Sequence, residues 1–312
     1  MPFIAQAAVF GLAALAATAA VAQSSGQPAE RTLRHAGASR SYLVHAPPAK
    51  SRPASKLPVL LVLHGGGGRA QQIMSATAMN PIAAREGFVV IYPQGLDRNW
   101  NDGREFQGRD SSKDDVGFLS AVLDDVERGD VGIDRATVGV AGISNGGFMA
   151  LRMACEAAGQ IAGVAAVTAT MPAAIGGRCR PVRPVPVLVI NGTSDPLVPY
   201  QGGQVRGFFG RDRGAIWSTD RTVAFWAQVN GCSGTPSRTP MADRDPGDGT
   251  ITIRLDHRVC GAPVTLLEVQ GGGHAWPGGS QYLPVALIGR AARDFSASEE
   301  IAAFFMALWG KR

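Results

Sequence analysis

The chain is 312 residues long and 45% hydrophobic, which is enough for a sizeable buried core. The formal net charge is only +5, and Lys and Arg are scattered without a basic tract interleaved with aromatic residues. This distribution argues against nucleic-acid binding. None of the four cysteines forms a Cys-x-x-Cys pair, which argues against a zinc ribbon or a thioredoxin-type redox site.

The first 22 residues have the pattern of a secretory signal peptide. An alanine-rich apolar core runs from Ala7 to Ala19, and the sequence Ala-Val-Ala before Gln23 is a cleavage site. The segment before the core has no Lys or Arg, which departs from the usual pattern. Despite this departure, the apolar core and the cleavage site predict a secreted or periplasmic protein without a membrane anchor. We expect residues 1–22 to be the signal peptide and residues 23–312 to form one domain. Because this one domain accounts for the whole mature length, we expect no appended polymer-binding module.

Strand-like and helical segments alternate along the mature chain. Arg40–His45 resembles an edge strand, and two fully apolar runs, Val59–Leu63 and Phe88–Tyr92, resemble buried strands. Ser112–Arg128 has apolar residues at helical spacing, with Ser112 and Asp115 at capping-box positions. The alternation predicts an α/β fold: a mostly parallel central sheet with helices on both faces.

The second half of the chain continues this pattern. Val185–Ile190 and Val264–Val269 are further apolar strands, and a last helix begins at Ser296 with Glu299 three residues on. Two segments rich in polar residues and glycine are predicted to be loops: Gly202–Gly214 and Met241–Thr250.

A serine lies at a sharp turn between a strand and a helix. Gly142-Ile143-Ser144-Asn145-Gly146 follows the apolar run Ala136–Ala141 and leads into a helical segment. In a nucleophile elbow, glycines two residues before and two residues after the serine let strand and helix pass close together and expose the hydroxyl. Ser144 is therefore the candidate nucleophile, with a structural turn serine as the alternative.

An acid and a histidine follow two later strands. Asp195 comes shortly after Val185–Ile190, and His274 comes shortly after Val264–Val269. The order Ser, Asp, His is that of α/β-hydrolases rather than of trypsin-like or subtilisin-like proteases. For the acid, Asp220 or a carboxylate of the Asp243-Arg244-Asp245 loop is an alternative, and a structural loop histidine is the alternative for His274.

Six segments resemble the secreted esterases of the polyhydroxybutyrate depolymerase and feruloyl esterase type. They occur in the family's order and cover nearly the whole mature chain: His64–Gly68, Trp100–Arg104, Asp114–Leu119, Gly142–Gly147, Gly192–Tyr200 and Gly272–Gly278. The resemblance implies an α/β-hydrolase fold and a serine carboxylic ester hydrolase that needs no cofactor. It leaves the substrate open, because members cleave hydroxyalkanoate polyesters, feruloylated or acetylated polysaccharides and small aryl esters.

Candidate residues for the remaining roles lie in the same segments. The glycine run after His64 can aim backbone N–H groups at an oxyanion, so we expect an oxyanion hole formed by Asn145 and by Gly66 or Gly65. Trp100 and Trp276 are candidates to bind substrate, although core packing explains a tryptophan equally well. No metal-binding or phosphate-binding motif is present in the sequence.

Four cysteines in an exported chain suggest two disulfides, for which three connectivities exist. We favour Cys155 with Cys179 and Cys232 with Cys260, because this pairing closes the shorter loops and the family resemblance also suggests it. Free buried thiols are the alternative.

The sequence thus predicts an exported hydrolase of carboxylic esters that acts through an acyl-enzyme on Ser144, with a small, oligomeric or polymeric ester as its partner. Within the family, the polyhydroxybutyrate-depolymerase-like function is favoured. A feruloyl or acetylxylan esterase is the second candidate. An acyltransferase on the same fold and a non-enzymatic envelope-binding protein are the rivals from other classes.

Overall fold

A computed structural model describes residues 28–48, 56–207 and 211–310. The expected signal peptide, residues 1–22, lies outside the described residues. Ten strands of this part form one sheet: β1 (Ala29–His35), β2 (Ala38–His45), β3 (Leu57–Leu63), β4 (Val89–Pro93), β5 (Ile133–Ile143), β6 (Gly163–Val167), β7 (Val187–Gly192), β10 (Ser237–Pro240), β11 (Ile251–His257) and β12 (Val264–Gln270). Two others, β8 (Gly203–Arg206) and β9 (Asp212–Ile216), form a separate antiparallel hairpin.

The ten-stranded sheet has a parallel centre and antiparallel margins. Its order is β1-β2-β4-β3-β5-β6-β7-β12-β11-β10. Strands β4, β3, β5, β6, β7 and β12 are parallel to their neighbours within this group. The antiparallel pairs β1–β2, β2–β4, β12–β11 and β11–β10 extend the sheet on both sides. In a parallel sheet the carboxyl ends of the strands meet at one edge, which is where functional loops gather.

Helices cover both faces of the sheet. Those in the described residues are α1 (Ala70–Thr77), α2 (Met79–Glu86), α3 (Asp115–Arg128), α4 (Asn145–Glu156), α5 (Ala173–Gly176), α6 (Thr219–Val229), α7 (Val285–Ile288) and α8 (Ala297–Trp309), with short 3-10 turns at Leu96–Arg98 and Ala158–Gln160. The Ser296 side chain caps α8, as its position in the sequence predicts. None of these helices is long and apolar enough to span a membrane.

The alternation of side chains along β3 explains why both faces must be covered. Val59, Leu61 and Leu63 point into a core shared with α3, α4 and α6, whereas Leu60 and Val62 point into a second core shared with α1, α2 and α8. All five side chains are fully buried. Strands buried on both faces require continuous apolar runs, as the sequence has here. The predicted α/β class, with a mostly parallel sheet between helices, is confirmed.

Three local predictions were wrong. β2 is not an edge strand, because β1 pairs with its outer side. The segment Gly202–Gly214 contains β8 and the first residues of β9 rather than only loop. Helix α3 begins at Asp115, not at Ser112: the Asp114 carboxylate caps it by accepting the Gly117 N–H, and the Ser112 hydroxyl binds Asp110 instead.

Both favoured disulfides are present. Cys155 at the end of α4 is bonded to Cys179, and Cys232 after α6 is bonded to Cys260. The first bond ties the helix that begins beside Ser144 to the segment after α5. The second ties the end of α6 to the loop before β12.

Candidate active site

Ser144 lies between β5 and α4 in a backbone conformation that residues with a side chain rarely adopt. Its φ is 55° and its ψ is −120°. The two flanking glycines make this turn possible: a Cβ on Gly142 would lie 2.4 Å from the carbonyl of Gly146, and a Cβ on Gly146 would lie 2.3 Å from the carbonyl oxygen of Leu63. Strand and helix therefore approach more closely than any side chain permits, and Ser144 remains half-buried at the tip.

His274 and Asp195 come together at the carboxyl edge of the sheet. Their segments follow the neighbouring parallel strands β12 and β7. Nδ1 of His274 lies 2.7 Å from Oδ2 of Asp195, and both side chains are buried. The other oxygen of Asp195 accepts the backbone N–H groups of Leu197 and Val198, each at 2.8 Å. The carboxylate is thus fixed in position by its own loop.

The alternative acids Asp220 and Asp245 are bonded to residues other than His274. Asp220 accepts a hydrogen bond from the Tyr200 hydroxyl, and Asp245 pairs with Arg293 at 2.7 Å. Of the acids that the sequence offered, Asp195 is the one bonded to the histidine ring.

Ser144 and His274 line the same cleft. With Nδ1 engaged by Asp195, Nε2 is the ring nitrogen of His274 that remains for a proton transfer. No hydrogen bond joins the Ser144 hydroxyl to His274 in the described part of the chain. Catalytic hydrogen bonds are often long before a substrate binds, so the arrangement is compatible with a nucleophile and a base.

The glycine loop after β3 presents two backbone amides beside Ser144. The N–H groups of Gly67 and Gly68 are bonded to the carbonyls of Arg98 and Gly65. Within residues 56–207 and 211–310, no acceptor is bonded to the N–H of Gly65 or Gly66. A Cβ built on Gly65 would lie 3.6 Å from the Ser144 Cβ, so the loop passes directly over the serine.

Asn145 contributes a third amide. It is the first residue of α4, and the first N–H groups of a helix have no acceptor within the helix. The expected donors, Asn145 with Gly65 or Gly66, therefore lie on two elements that meet at Ser144.

His64 braces the glycine loop from inside. Its Nδ1 lies 2.8 Å from the Gly65 carbonyl oxygen, and its Nε2 accepts the Gly95 N–H at 3.0 Å. These partners require a neutral ring with the proton on Nδ1. Burial lowers the pKa of His64 to about 4, which is consistent with a ring that stays neutral.

The two tryptophans have structural contacts and also line the cleft. The indole N–H of Trp100 donates to the His64 carbonyl, and its ring packs against the His64 ring with centroids 4.9 Å apart. The indole N–H of Trp276 donates to the Ser298 hydroxyl of α8 at 3.0 Å. Trp100 thus holds the glycine loop, whereas Trp276 forms a fixed apolar wall next to His274.

A buried ionic cluster behind Ser144 was missed at the sequence level. The Asp102 carboxylate is inaccessible to solvent and pairs with Arg104 and Arg109, each at 2.7 Å. It also accepts from the side-chain amide of Asn145 at 2.5 Å. That same amide group exchanges hydrogen bonds with both backbone groups of Trp100, at 2.7 and 3.0 Å. The cluster therefore fixes Asn145, the residue after the candidate nucleophile.

Asp102 is ionised in this environment. Burial alone would raise the pKa of its carboxyl, but attraction to Arg104 and Arg109 and the hydrogen bonds from Arg104 outweigh burial and lower the pKa. The signal available in the sequence was the segment Trp100–Arg104, from which only the tryptophan was considered as a site residue.

The cleft has a volume of about 930 Å³ and combines apolar walls with polar groups. This volume suits an ester of several monomer units or a small aromatic ester. Among the described residues, no group of three or more His, Cys, Asp or Glu side chains is placed to hold a metal ion.

Residues 40–210, more than half of the chain, match the family model described as esterase PHB depolymerase. NocK of Nocardia uniformis subsp. tsuyamanensis, named as a candidate esterase, is 33% identical over 285 residues, which cover 87% of this chain and 80% of NocK. A protein of Aspergillus terreus named probable feruloyl esterase C is 27% identical over 269 residues, which cover 83% of this chain and 87% of that protein.

A solved structure has the same fold. The acetyl xylan esterase from Aspergillus awamori superposes with a TM-score of 0.54 at 14% identity, covering 79% of this chain and 94% of that one. At 14% identity, this structural similarity supports only the fold. The shared fold agrees with the predicted α/β-hydrolase architecture. The family model and the relatives also identify the family and the activity. The chain belongs to the esterase PHB depolymerase family and is a carboxylic ester hydrolase.

Proposed function

We propose that the enzyme cleaves its ester through an acyl-enzyme intermediate on Ser144, with His274 as general base and then general acid and Asp195 as the group that orients His274. One observation carries this proposal: Nδ1 of His274 lies 2.7 Å from a carboxylate oxygen of Asp195 in a cleft that also exposes a serine at a strained turn. The combination of nucleophile, base and orienting acid is the arrangement used for acyl transfer.

In the first step, the Ser144 hydroxyl oxygen attacks the ester carbonyl carbon while its proton passes to Nε2 of His274. The imidazolium that forms is stabilised by the Asp195 carboxylate at Nδ1. The tetrahedral intermediate then breaks its bond to the alcohol oxygen, which takes the proton from His274. Water repeats the sequence on the acyl-enzyme and releases the acid.

The negative charge of the tetrahedral intermediate needs hydrogen-bond donors. The amide of Asn145 and that of Gly66 or Gly65 are our candidates, because they flank Ser144 and have no acceptor within the described residues. Each donor aimed at the developing oxyanion stabilises the transition state by about 3 kcal/mol.

Ser144→Ala is expected to lower turnover at least about a thousandfold while the protein stays folded, since the nucleophile and its base act as a unit. A fluorophosphonate probe is expected to label the wild type at Ser144. Ser120→Ala is the matched control: its hydroxyl donates to the Val116 carbonyl within α3, away from the cleft. Label on another residue, or an active alanine variant at 144, contradicts the assignment.

For the substrate, we propose an ester of a short hydroxyalkanoate oligomer, with feruloyl or acetylxylan esters as the second candidate. The family description supports the first choice, and the name of the relative from Aspergillus terreus favours the second. Rates on hydroxybutyrate dimers and trimers, methyl ferulate and acetylated xylan rank the two. Product partition in the presence of an acceptor alcohol tests the rival acyltransferase activity: only a transferase forms mainly the new ester.

We also propose that the protein is exported. The two disulfides support this, because such bonds persist in oxidising compartments. Expression of the whole chain in a bacterial host, followed by N-terminal sequencing of the periplasmic product, is expected to give Gln23 as the first residue. Product that remains in the cytoplasm with Met1 intact refutes the proposal.

A further inference from the structure

Positive charge is concentrated in the cleft. Six cationic side chains line it, against two carboxylates: Arg69, Arg104, Arg109, Lys113, Arg206 and Arg213. In the whole chain, by contrast, 30 basic residues stand against 25 acidic ones. Asp97 pairs with Lys113 at 2.6 Å. Asp110 accepts two hydrogen bonds from the uncharged Ser112 and keeps its negative charge, so five arginines remain against one lining carboxylate. The excess charge therefore belongs to the arginines.

Three of these arginines surround one aromatic ring. The guanidinium carbons of Arg104, Arg109 and Arg213 lie 5.7, 5.4 and 5.6 Å from the centroid of the half-buried Phe106 ring. Arg206 of β8, whose cross-strand partner in β9 is Asp212, lines the same cleft. We refer to Arg104, Arg109, Arg206 and Arg213 as the arginine cluster.

The arginine cluster is only partly neutralised. Arg104 and Arg109 share the single buried carboxylate of Asp102. In the part of the chain that the structure describes, no carboxylate lies within ion-pair distance of the Arg206 or Arg213 side chain, and both are exposed to solvent. Like charges held close together repel each other, and the walls of a cleft focus their field. An anion bound here relieves that repulsion.

The arginine cluster is joined to the candidate nucleophile by direct contacts. Asn145, next to Ser144, is bonded to Asp102, and Asp102 is bonded to Arg104. The guanidinium of Arg104 in turn donates to the backbone carbonyl of Arg213 at 3.0 Å. This chain of bonds connects Asn145 to Arg213 of β9, and Ser144 and Arg213 line the same cleft, so one ligand can contact both.

We propose that the arginine cluster binds a carboxylate of the substrate, so that the enzyme prefers esters that carry an additional ionised carboxyl group. This inference rests on the proposed function and narrows its substrate class to acidic esters. Guanidinium groups suit the role because their planar set of N–H donors matches the two oxygens of a carboxylate.

The test compares kcat/KM for charged and neutral esters of matched shape. Mono-p-nitrophenyl adipate against methyl p-nitrophenyl adipate probes a carboxylate on the acyl side, and p-carboxyphenyl butyrate against p-carbamoylphenyl butyrate probes the alcohol side. We expect at least about a fivefold preference for the anion in one of the two pairs at about 20 mM salt, the size expected for one or two partly exposed ion pairs. At about 0.5 M salt the preference is expected to shrink, because screening shortens the range of the attraction.

Variants identify the residues responsible. Arg213→Gln and Arg206→Gln are each expected to reduce the ratio of charged to neutral kcat/KM at least about twofold, and the double variant is expected to abolish the preference. Arg211→Gln is the matched control, because Arg211 is exposed, precedes β9 and does not line the cleft. It removes the same charge and is expected to keep most of the wild-type ratio.

Two outcomes overturn the inference: equal kcat/KM for the charged and neutral members of both pairs, or the same loss of preference in Arg211→Gln as in Arg213→Gln. Failure of the proposed function gives a different result, because the wild type then cleaves none of the four esters.

Discussion

Asp195 uses its two carboxylate oxygens for different tasks. One oxygen faces His274, and the other accepts two backbone N–H groups of its own loop. Asp195→Asn keeps an oxygen for the loop but offers an amide N–H to His274, which favours the wrong tautomer of the ring. We expect turnover to fall on the order of 10⁴-fold with little change in folding.

Asp220→Asn is the matched control for that experiment, since Asp220 binds Tyr200 and not the histidine. Steady-state kinetics on one soluble ester, with circular dichroism to verify folding, compares the two variants. An equal loss in both variants refutes the role of Asp195.

The buried carboxylate of Asp102 leads to a second prediction at the residue scale. Asp102→Asn leaves Arg104 and Arg109 buried without a counter-charge, and uncompensated buried charges are costly. We expect the free energy of unfolding to fall by about 3 kcal/mol or more in urea denaturation. Asp124→Asn, which breaks a half-exposed pair with Arg135, is expected to cost less than about 1 kcal/mol. Similar losses in both variants contradict the structural role of Asp102.

Residues that act through the local chain could be predicted from the sequence, whereas those that act through contacts between distant segments could not. Ser144 lies within a five-residue pattern, and the position of Asp195 and His274 follows from the strands before them. Asp102 is different, because its partner Asn145 is 43 residues away. It lies in the family-like segment Trp100–Arg104, but that segment does not show that the carboxylate is buried.

At the scale of elements, the glycine loop depends on the charge state of one ring. The pKa of His64 is lowered to about 4 by burial, whereas an unfolded chain has the ordinary value near 6.5. Between these pH values the unfolded state binds more protons than the folded state, so stability falls as the pH falls. The loss from about pH 7 to about pH 4 is expected to be about 3 kcal/mol from this residue.

His64→Asn tests that expectation, because its amide can donate to the Gly65 carbonyl but does not titrate. Urea denaturation across the same pH range is expected to give a shallower decline for the variant than for the wild type. Parallel declines mean that other groups control the acid sensitivity.

Elements with a strong internal pattern were predicted well, and elements defined by their neighbours were not. The apolar run of β3 is diagnostic by itself, as is the cap of α8 at Ser296. The position of β2 inside the sheet depends on β1, whose residues alternate between half-buried and exposed and resemble a polar tail. The hairpin of β8 and β9 has only four and five residues in its strands, too short for a periodic signal.

At the scale of the whole molecule, the disulfides are expected to carry a large part of the stability. The bonded cysteines are 24 and 28 residues apart in sequence, and in the chain-entropy model each bond contributes about 3.5 kcal/mol by restricting the unfolded chain. Cys232→Ala with Cys260→Ala is therefore expected to lower the urea midpoint clearly. The wild type in reducing agent is expected to lose more than this double variant under oxidising conditions. Unchanged midpoints refute the estimate.

The two margins of the large sheet have a further consequence. β1 carries Glu30, Arg31 and Arg34, and β10 is a four-residue strand that contains Arg238 and ends at Pro240, which has no N–H to donate. Charged side chains, short length and proline all oppose the addition of a strand from a second molecule. The two outermost strands of the described sheet are thus poor templates for aggregation, and their residues disfavour the formation of edge-to-edge chains of molecules.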